Sequence, residues 1–205
     1  MTETEKREQE APTVVPMNVL ELKVKANAVN VLSAANLAKD WFADAVNEAQ
    51  SETEDAIASV RREIVFVVCF AESYIFEWAR DVAGMGEVTK YFVKKDNRWE
   101  KLKVRWKEVP LRLFEEGLVK TETEPRIDWG DMGVVTTYRH GLVHGAASIP
   151  VGLEDEREKP EPTLNDLNKK GQGWALGVVL DLVKQLHDKT QTPMPDYLKN
   201  YFKKH

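Results

Sequence analysis

The chain has 205 residues, of which 42% are hydrophobic and 31% are charged, and its formal net charge at pH 7 is −5. This length suits one good-sized domain, which can bury a core without disulfides or metals to hold it. The single cysteine excludes a disulfide framework. The acidic balance does not favour a general nucleic-acid coat, although it is compatible with a local basic site.

The N-terminal residues 1–16 predict a disordered tail, because they are charged, poor in strand-forming residues and interrupted by Pro12 and Pro16. They lack the apolar core of a signal peptide. No apolar run in the chain approaches the roughly 18–20 residues that a membrane-spanning helix needs. We therefore expect a cytoplasmic protein without a membrane partner, with a helical domain over residues 17–190 and a C-terminal extension over 191–205 that is typical of a short helix.

Two long helices are predicted after the tail. Apolar residues from about Val19 to Ala49 recur at the three- and four-residue spacing of a helix. The run SETE, residues 51–54, fits a capping box with Ser51 as the N-cap, and it opens a second helix that ends near Val82. This second helix contains IVFVVCFAESYIFEWA and is hydrophobic on nearly all sides, so we expect it at the centre of a bundle.

Glu72 interrupts the apolar run of the second helix. A buried carboxylate without a partner is costly or takes up a proton. Two interpretations stay open: Glu72 has a polar partner inside the bundle, or it lies on a solvated face. Cys69, in the same run, is expected to be a small buried hydrophobic residue rather than a nucleophile.

A basic segment follows GMGE, which is expected to end the second helix. Residues 90–107 carry eight Lys or Arg against two acids. Four apolar residues fall at the spacing of a core-facing helical stripe: Trp99, Leu102, Trp106 and Val109. The basic face is either a solvated helix surface or one that contacts an RNA backbone. The candidate RNA-binding residues on it are Lys94, Lys95, Arg98, Lys101 and Arg105.

The rest of the chain is also helical in pattern. Pro110 predicts a break, followed by a short helix over LRLFEEGLV. Asp128 or Asp131 is a candidate N-cap for a helix over residues 132–147, and Thr163 for a last long helix. There is little strand signal beyond VTKYFVK. The predicted fold class is therefore all-α.

The segment TTYRHGLVHGAA, residues 136–147, contains an arginine and two of the four histidines. On a regular helix His140 and His144 lie together, nearly opposite an apolar stripe. Gly141 and Gly145 follow them, and each glycine costs a helix roughly 1 kcal/mol relative to alanine. Without side chains there, another helix or a phosphate can approach the backbone.

The segment resembles the hallmark of the HEPN superfamily, in which an arginine is followed by a polar residue and then, four to six residues beyond the arginine, by a histidine. Arg139, His140 and His144 in RHGLVH match the three positions. The apolar second helix with its embedded ES, the order of the helices and a variable insert before the motif helix are similar as well. The resemblance covers roughly residues 20–188.

The resemblance implies an antiparallel bundle of about five helices that forms a homodimer through the motif helix. Many HEPN proteins are metal-independent endoribonucleases of toxin–antitoxin, abortive-infection and CRISPR systems, so it also implies an RNA substrate, a role in antiviral defence and an antitoxin or other partner protein. One branch carries a modified tyrosine two residues after the histidine. Ala146 stands at that place, so we do not expect that antitoxin mechanism.

The residue types suit cleavage of RNA through its own 2′-hydroxyl. His144 suits the two proton transfers, Arg139 suits the charge of the phosphorane, and His140 is assigned a positioning role. Glu72 is expected to orient Arg139 from the neighbouring helix. Because five residues turn an ideal helix by about 500°, Arg139 and His144 lie about 140° apart. A bent helix end, the length of the arginine or a second subunit has to bring them together.

Other interpretations stay open. His140 and His144 have the spacing of a zinc-ligand pair, but Gly141 stands where metalloprotease helices carry glutamate, and a third ligand has to come from elsewhere, with Glu72 as the candidate. The favoured mechanism needs neither a metal nor a cofactor. The domain is alternatively a catalytically inactive dimerisation or RNA/nucleotide-binding module, or a helical bundle whose polar face is merely solvated.

Overall fold

The computed structural model describes residues 37–52, 55–94, 98–144, 167 and 169–205. Within these residues the chain forms α-helices, one short 3-10 helix and a single isolated β-bridge, which confirms the all-α class. The helices are α1 (Leu37–Ala49), α2 (Ala56–Ala83), α3 (Leu102–Glu115), α4 (Met132–His144), α5 (Trp174–Thr190) and α6 (Asp196–Lys204), and the 3-10 helix is Val88–Tyr91. The predicted tail and most of the predicted first helix lie outside the described residues.

The second helix, α2, is central, as its apolar sequence predicts. It contacts α1, α3, α4, α5 and the 3-10 helix. It begins after Asp55, whose Oδ1 accepts a hydrogen bond from the N–H of Ala58 at 2.9 Å. It ends at Gly84, as expected from GMGE, and Gly84 has a φ of +86° that a residue with a side chain rarely adopts.

The first described helix, α1, is antiparallel to α2. Near the C-terminal end of α2, Glu77 Oε1 accepts a hydrogen bond from the N–H of Ala38 at 3.0 Å, so α1 begins where α2 ends. The prediction that Ser51 caps α2 was wrong. The Ser51 hydroxyl instead donates to the carbonyl of Glu48 at 3.0 Å and lies 2.8 Å from Ser59 Oγ, so it ties the end of α1 to α2.

The long helix α5 runs parallel to α2 and in register with it. Glu63 Oε1 accepts a hydrogen bond from Leu176 N at 2.8 Å, and the Tyr74 hydroxyl lies 2.5 Å from His187 Nε2. The two partners on α2 are eleven residues apart, and so are the two on α5. Both helices rise by about 1.5 Å per residue, so equal spacing keeps the contacts aligned.

The motif helix α4 contacts both α2 and α5. The ring of Tyr138 lies edge-on to the ring of Trp174, at the start of α5, with centroids 6.1 Å apart. The loop before α4 lies near the other end of α5, where Asp128 N donates to Gln185 Oε1 at 3.1 Å. The helix α4 therefore runs antiparallel to α5.

The basic segment is not the helix that its spacing predicts. Its first residues belong to the 3-10 helix Val88–Tyr91, and Val93 and Trp99 then form an antiparallel bridge. The helix α3 begins only at Leu102. The expected stripe is confirmed for Trp106 and Val109, which are buried on α3, but it was wrong for Trp99. The strand VTKYFVK was wrong as well, because Val88–Tyr91 form the 3-10 helix and only Val93 pairs with another backbone segment.

Pro110 does not break its helix. It lies inside α3 and is buried, together with the residue before it and one apolar residue a turn to either side. Those buried residues are Trp106, Val109 and Leu113. A proline inside a helix removes one hydrogen bond, and the continuous apolar face that spans Pro110 offsets that loss.

The last long helix begins later than its pattern predicts. Thr163, the expected cap, lies outside the described residues, and α5 starts at Trp174. The residue at the cap is Gly173, whose φ is +80°. Its N–H and that of Leu176 donate to the Glu63 carboxylate, so the start of α5 is set by a side chain of α2.

The short helix expected near the end of the chain is α6. Leu198 is fully buried, and the rings of Tyr197 and Tyr201 lie 5.6 Å and 5.3 Å from that of Phe42 on α1. Such aromatic contacts add to the area that they bury. In the described part of the chain, no helix has the length and apolar character that crossing a bilayer requires.

Candidate functional site

The motif helix presents one apolar side to the core. Met132, Val135 and Tyr138 are buried, while Val143 is half exposed. Near the start of the helix, the hydroxyl of Thr136 donates to the carbonyls of its own preceding turn. Such bonds satisfy the hydroxyl without a tertiary partner. The inward side of α4 is thereby fixed by its apolar residues.

Arg139 lies next to this inward side. It comes one turn after Val135, and its side chain is half-buried. The Nε atom of Arg139 is buried and has no hydrogen-bond partner. A buried donor without an acceptor costs about 1–3 kcal/mol. Arg139 is therefore held at the boundary between core and solvent with one donor unused.

Arg139 belongs to a group of side chains that is linked by electrostatic interactions through Cys69 and Glu72. Burial raises the pKa of the Cys69 thiol, Glu72 raises it further, and Arg139 lowers it. Burial lowers the pKa of Arg105, and Glu72 opposes that change. Glu72 on α2 thus acts on Arg105 of α3 and on Cys69, which also responds to Arg139 of α4. We call these residues the arginine cluster and define it as Cys69, Glu72, Arg105 and Arg139.

Glu72 and Arg139 belong to different helices and both act on Cys69, but they are not joined directly. Glu72 is half-buried, so it lies neither in the core nor fully in solvent. Among the described residues no ion pair links it to Arg139, whose Nε lacks an acceptor. The expectation that Glu72 orients Arg139 stays a prediction.

Of the two motif histidines, the structure describes the side chain of His140 but not that of His144. His140 is half-buried on α4 and interacts with other residues. The backbone of His144 completes α4, whereas its side chain, together with Gly145 and Ala146, lies outside the described residues. Within the side chains that are described, no group of three or more His, Cys, Asp and Glu could hold a metal ion.

The candidate RNA-binding residues have separate surroundings. Lys94 lies 3.6 Å from a carboxylate oxygen of Glu100, while Arg98 and Lys101 are exposed. Arg105 is half-buried, and its Nε donates to the Glu100 carbonyl at 2.6 Å. Lys95 lies outside the described residues. Lys101 is thus more accessible to a ligand than Lys94 or Arg105.

Sequence reasoning missed a buried polar group between α2 and α5. His187 is buried; its Nε2 faces the Tyr74 hydroxyl and its Nδ1 lies 3.0 Å from the carbonyl of Thr192. A carbonyl can only accept, so Nδ1 carries the proton and Nε2 accepts from Tyr74. The one signal in the sequence was a histidine on the apolar side of the last long helix, and that pattern does not reveal its partners.

Sequence reasoning also misplaced Trp99. The spacing assigned it to the core, but 42% of its surface is exposed. The signal that could have found this was the preceding run KKDNR, because Asp and Asn are typical of a turn rather than a helix. Trp99 is therefore a surface residue beside the arginine cluster.

Comparison of the chain with protein-family models, with curated proteins and with solved structures finds no match. The functional assignment thus depends on the motif and on the chemistry of the site.

Proposed function

We propose that this chain is a metal-independent endoribonuclease of the HEPN type that acts in the cytoplasm as a toxin or as an abortive-infection protein of antiviral defence, restrained by a partner protein. The observation that carries the proposal is the half-buried Arg139 of the RHGLVH motif, whose buried Nε has no acceptor. A phosphate oxygen is the kind of acceptor that a guanidinium binds best. An unused donor in a fixed position favours a ligand over a purely structural role.

The reaction assigned to the site is transesterification. A base removes the proton of the 2′-hydroxyl, the 2′-oxygen bonds to phosphorus, and the bond from phosphorus to the 5′-oxygen breaks as that oxygen takes up a proton. The products are a 2′,3′-cyclic phosphate and a 5′-hydroxyl. His144 serves the proton transfers, which are worth about 10²- to 10⁴-fold, and Arg139 stabilises the phosphorane.

His140 and Glu72 have positioning roles in the proposed reaction. His140 positions the substrate from the same helix as Arg139. Glu72 orients Arg139 from α2, through the electrostatic field of the arginine cluster. Both have a half-buried side chain, which suits a group that meets both protein and ligand.

A homodimer completes the site. Arg139 stands beside the inward side of α4, and His144 lies about 140° further round a regular helix. On a regular helix these two positions therefore face different directions. In the proposed dimer the motif helices face each other, and Arg139 of one copy works with His144 of the other.

The second candidate function uses the same arginine without proton transfer. A guanidinium binds phosphate through charge and hydrogen bonds alone, so the domain could be a catalytically inactive dimerisation or RNA/nucleotide-binding module. The half-buried position of Arg139 is compatible with binding in the absence of a reacting histidine.

The test is incubation of the purified protein with single-stranded RNA in EDTA. We expect cleavage that leaves 2′,3′-cyclic phosphate ends, and a loss of about 10²-fold or more in both Arg139→Ala and His144→Ala. Matched controls are Arg61→Ala and His205→Ala, which remove exposed residues and should leave the rate unchanged. Intact RNA throughout, with dimers preserved, supports the binding module, and wild-type activity that is lost only on chelation supports zinc.

A mixing experiment tests the shared site. Arg139→Ala and His144→Ala are each inactive alone, but half of the dimers formed by random exchange contain one copy of each. If Arg139 and His144 come from different copies, each mixed dimer keeps one intact site, and activity returns to about one quarter of the wild-type value. No recovery shows that each copy holds a complete site.

A further inference from the structure

Trp99 is an exposed indole in a chain that buries its other tryptophans wholly or in part. All six tryptophans are described, and Trp99 alone is classed as exposed, at 42% of its surface. A large aromatic side chain normally contributes to stability through the area that it buries. A side chain that keeps this much apolar surface in solvent is a candidate for binding.

The indole of Trp99 is nevertheless held in place. Its backbone bridges to Val93, and the N–H of Glu100 donates to the Phe92 carbonyl at 2.8 Å. The rings of Phe76 and Phe92 each have a centroid 6.2 Å from that of Trp99. A ligand that contacts the exposed part of the ring therefore meets a surface that is already ordered, which lowers the entropic cost of binding.

A cation lies over the same ring. The Arg105 Cζ is 5.3 Å from the centroid of Trp99, and the Arg105 Nε is fixed by the Glu100 carbonyl. A guanidinium over an indole is a favourable cation–π contact. Together they form an aromatic and cationic unit, which we call the Trp99 platform and define as Trp99 with Arg105.

The charges around the platform favour an anionic ligand. Arg98 and Lys101 next to it are exposed, and Glu100, the one acid between residues 98 and 105, is half-buried and paired with Lys94. The helix α3 starts directly after Lys101, with no acidic residue in its first turn and no side-chain cap from Lys101. The positive end of that helix dipole adds to the basic field.

The platform is continuous with the arginine cluster. Arg105 belongs to both, and Glu72 acts on Arg105 and on Cys69, which in turn responds to Arg139. A strand that contacts Trp99 thus also meets Arg105, the residue that the platform shares with the arginine cluster. An apolar protein partner would instead be expected to meet apolar neighbours. Among the described residues from 98 to 101, the exposed ones beside Trp99 are the cations Arg98 and Lys101.

We propose that the Trp99 platform stacks a base of single-stranded RNA, while Lys101 and Arg98 bind the phosphates of the same strand. The inference rests on the proposed function for the identity of the nucleic acid. Unpaired bases stack on aromatic side chains and on guanidinium planes, largely irrespective of their sequence. The platform selects single strands, because the bases of a duplex offer no free face for stacking.

Binding is measured with a labelled single-stranded oligonucleotide that carries 2′-O-methyl groups, so that it cannot be cleaved through the 2′-oxygen. We expect Trp99→Ala to weaken binding on the order of ten-fold, without a change in the salt dependence, because stacking releases no counterions. Lys101→Gln should lower the slope of log K against log salt by about 0.7. Phe202→Ala, which removes an exposed aromatic ring beside two lysines on α6, should leave both quantities unchanged.

A second readout guards against a folding defect. Trp99→Phe keeps an aromatic ring against Phe76 and Phe92, so we expect near-native affinity for RNA. Because the variant lacks the Trp99 indole, it should lose the quenching of tryptophan fluorescence that RNA causes in the wild type. Equal quenching in the wild type and Trp99→Phe, or equal affinity of the wild type and a folded Trp99→Ala, overturns the proposal. The second of these outcomes leaves the exposed indole to a protein partner.

The binding assay is independent of catalysis. Trp99-dependent binding by a protein that never cleaves RNA supports the platform and refutes the ribonuclease. Cleavage that requires Arg139 and His144, combined with binding that ignores Trp99, refutes the platform alone.

Discussion

The two sides of the central helix α2 differ in their buried polar groups. On the side that faces α5, these groups have hydrogen-bond partners. On the side that faces α4, one buried group of α4 has none. Glu63 is fully buried, and its two oxygens accept from Gly173 N and Leu176 N, each at 2.8 Å. Burial raises the pKa of Glu63, and the N–H groups of α5 oppose that rise. At the α4 side, the buried Nε of Arg139 has no acceptor. The first arrangement fixes a helix, and the second leaves bonding capacity for a ligand.

The far end of the α2–α5 contact is equally complete. His187 lies between the Tyr74 hydroxyl and the Thr192 carbonyl, and one neutral tautomer satisfies both. Trp78 Nε1 donates to Thr192 Oγ1 at 2.9 Å, so the residues that follow α5 are held to α2 as well. A buried network with every member satisfied rigidifies the structure. The α5 side of α2 is therefore a scaffold, and the α4 side is the one to which we assign the proposed function.

The largest effect is expected at Glu63. Replacing it by leucine in Glu63→Leu leaves two N–H groups at the start of α5 without an acceptor, so we expect a loss of about 3 kcal/mol in the free energy of unfolding. Urea denaturation at neutral pH measures it. The matched control is Glu77→Leu, since Glu77 is only half-buried and caps α1; it should cost about 1 kcal/mol. A Glu63→Leu variant as stable as the wild type would mean that α5 is held by its apolar residues alone.

The next effect is a dependence of stability on pH through His187. Burial lowers its pKa below the ordinary value of 6.5, with a smaller contribution from Lys199, while the Thr192 carbonyl and Asp188 oppose the shift. The unfolded chain therefore takes up a proton at a higher pH than the folded protein does. Stability is complete above about pH 6.5 and is lost as the pH falls toward the lowered pKa, by at most about 1.4 kcal/mol per pH unit.

Urea denaturation at about pH 7.5 and at about pH 5.5 checks this pH dependence. The two values lie on either side of about pH 6.5, where the loss of stability begins. His187→Gln should be less stable at neutral pH and should lose less between the two values than the wild type does. His205→Gln, an exposed residue at the end of α6, should behave as the wild type. If the stability of His187→Gln depends on pH as strongly as that of the wild type, the pH dependence arises from other groups.

The scaffold side and the functional side also differ in what the sequence predicts. Local signals found α2, its end at Gly84 and the short α6, because apolar periodicity and glycine act within a few residues. The start of α5 could not be found in this way, since its cap is Glu63, which is 110 residues away in the chain. The predicted break at Pro110 was wrong for a related reason, because its burial inside α3 depends on residues that are distant in the chain.

The motif gave the residues of the candidate site but not their surroundings. Arg139 and Glu72 were identified from the sequence, whereas the unpaired Nε and the shared influence on Cys69 arise from the packing of α4 on α2. Trp99 was misassigned because the hydrogen bonds that hold it run across a chain reversal and not along a helix. Pattern and spacing locate chemical groups, and tertiary contacts decide which of them stay available.

The smallest effect on stability is expected at Arg139. This residue tests the difference between the two sides of α2 most directly. Arg139→Met keeps an apolar stem of similar length and removes the buried donor that has no acceptor. The free energy of unfolding should therefore stay the same or rise by up to about 1 kcal/mol. The control is Arg112→Met, because Arg112 is also half-buried but donates to the Tyr91 carbonyl, so it should lose stability.

Urea denaturation with and without the 2′-O-methyl oligonucleotide completes this test. A ligand that binds only the folded state stabilises it in proportion to its affinity, so the wild type should gain stability from the oligonucleotide and Arg139→Met should gain less. A loss of about 2 kcal/mol or more in Arg139→Met without ligand would show that the guanidinium holds α4 to α2. In that case both sides of α2 would be scaffold, and the unpaired Nε would no longer distinguish the site that we assign to RNA.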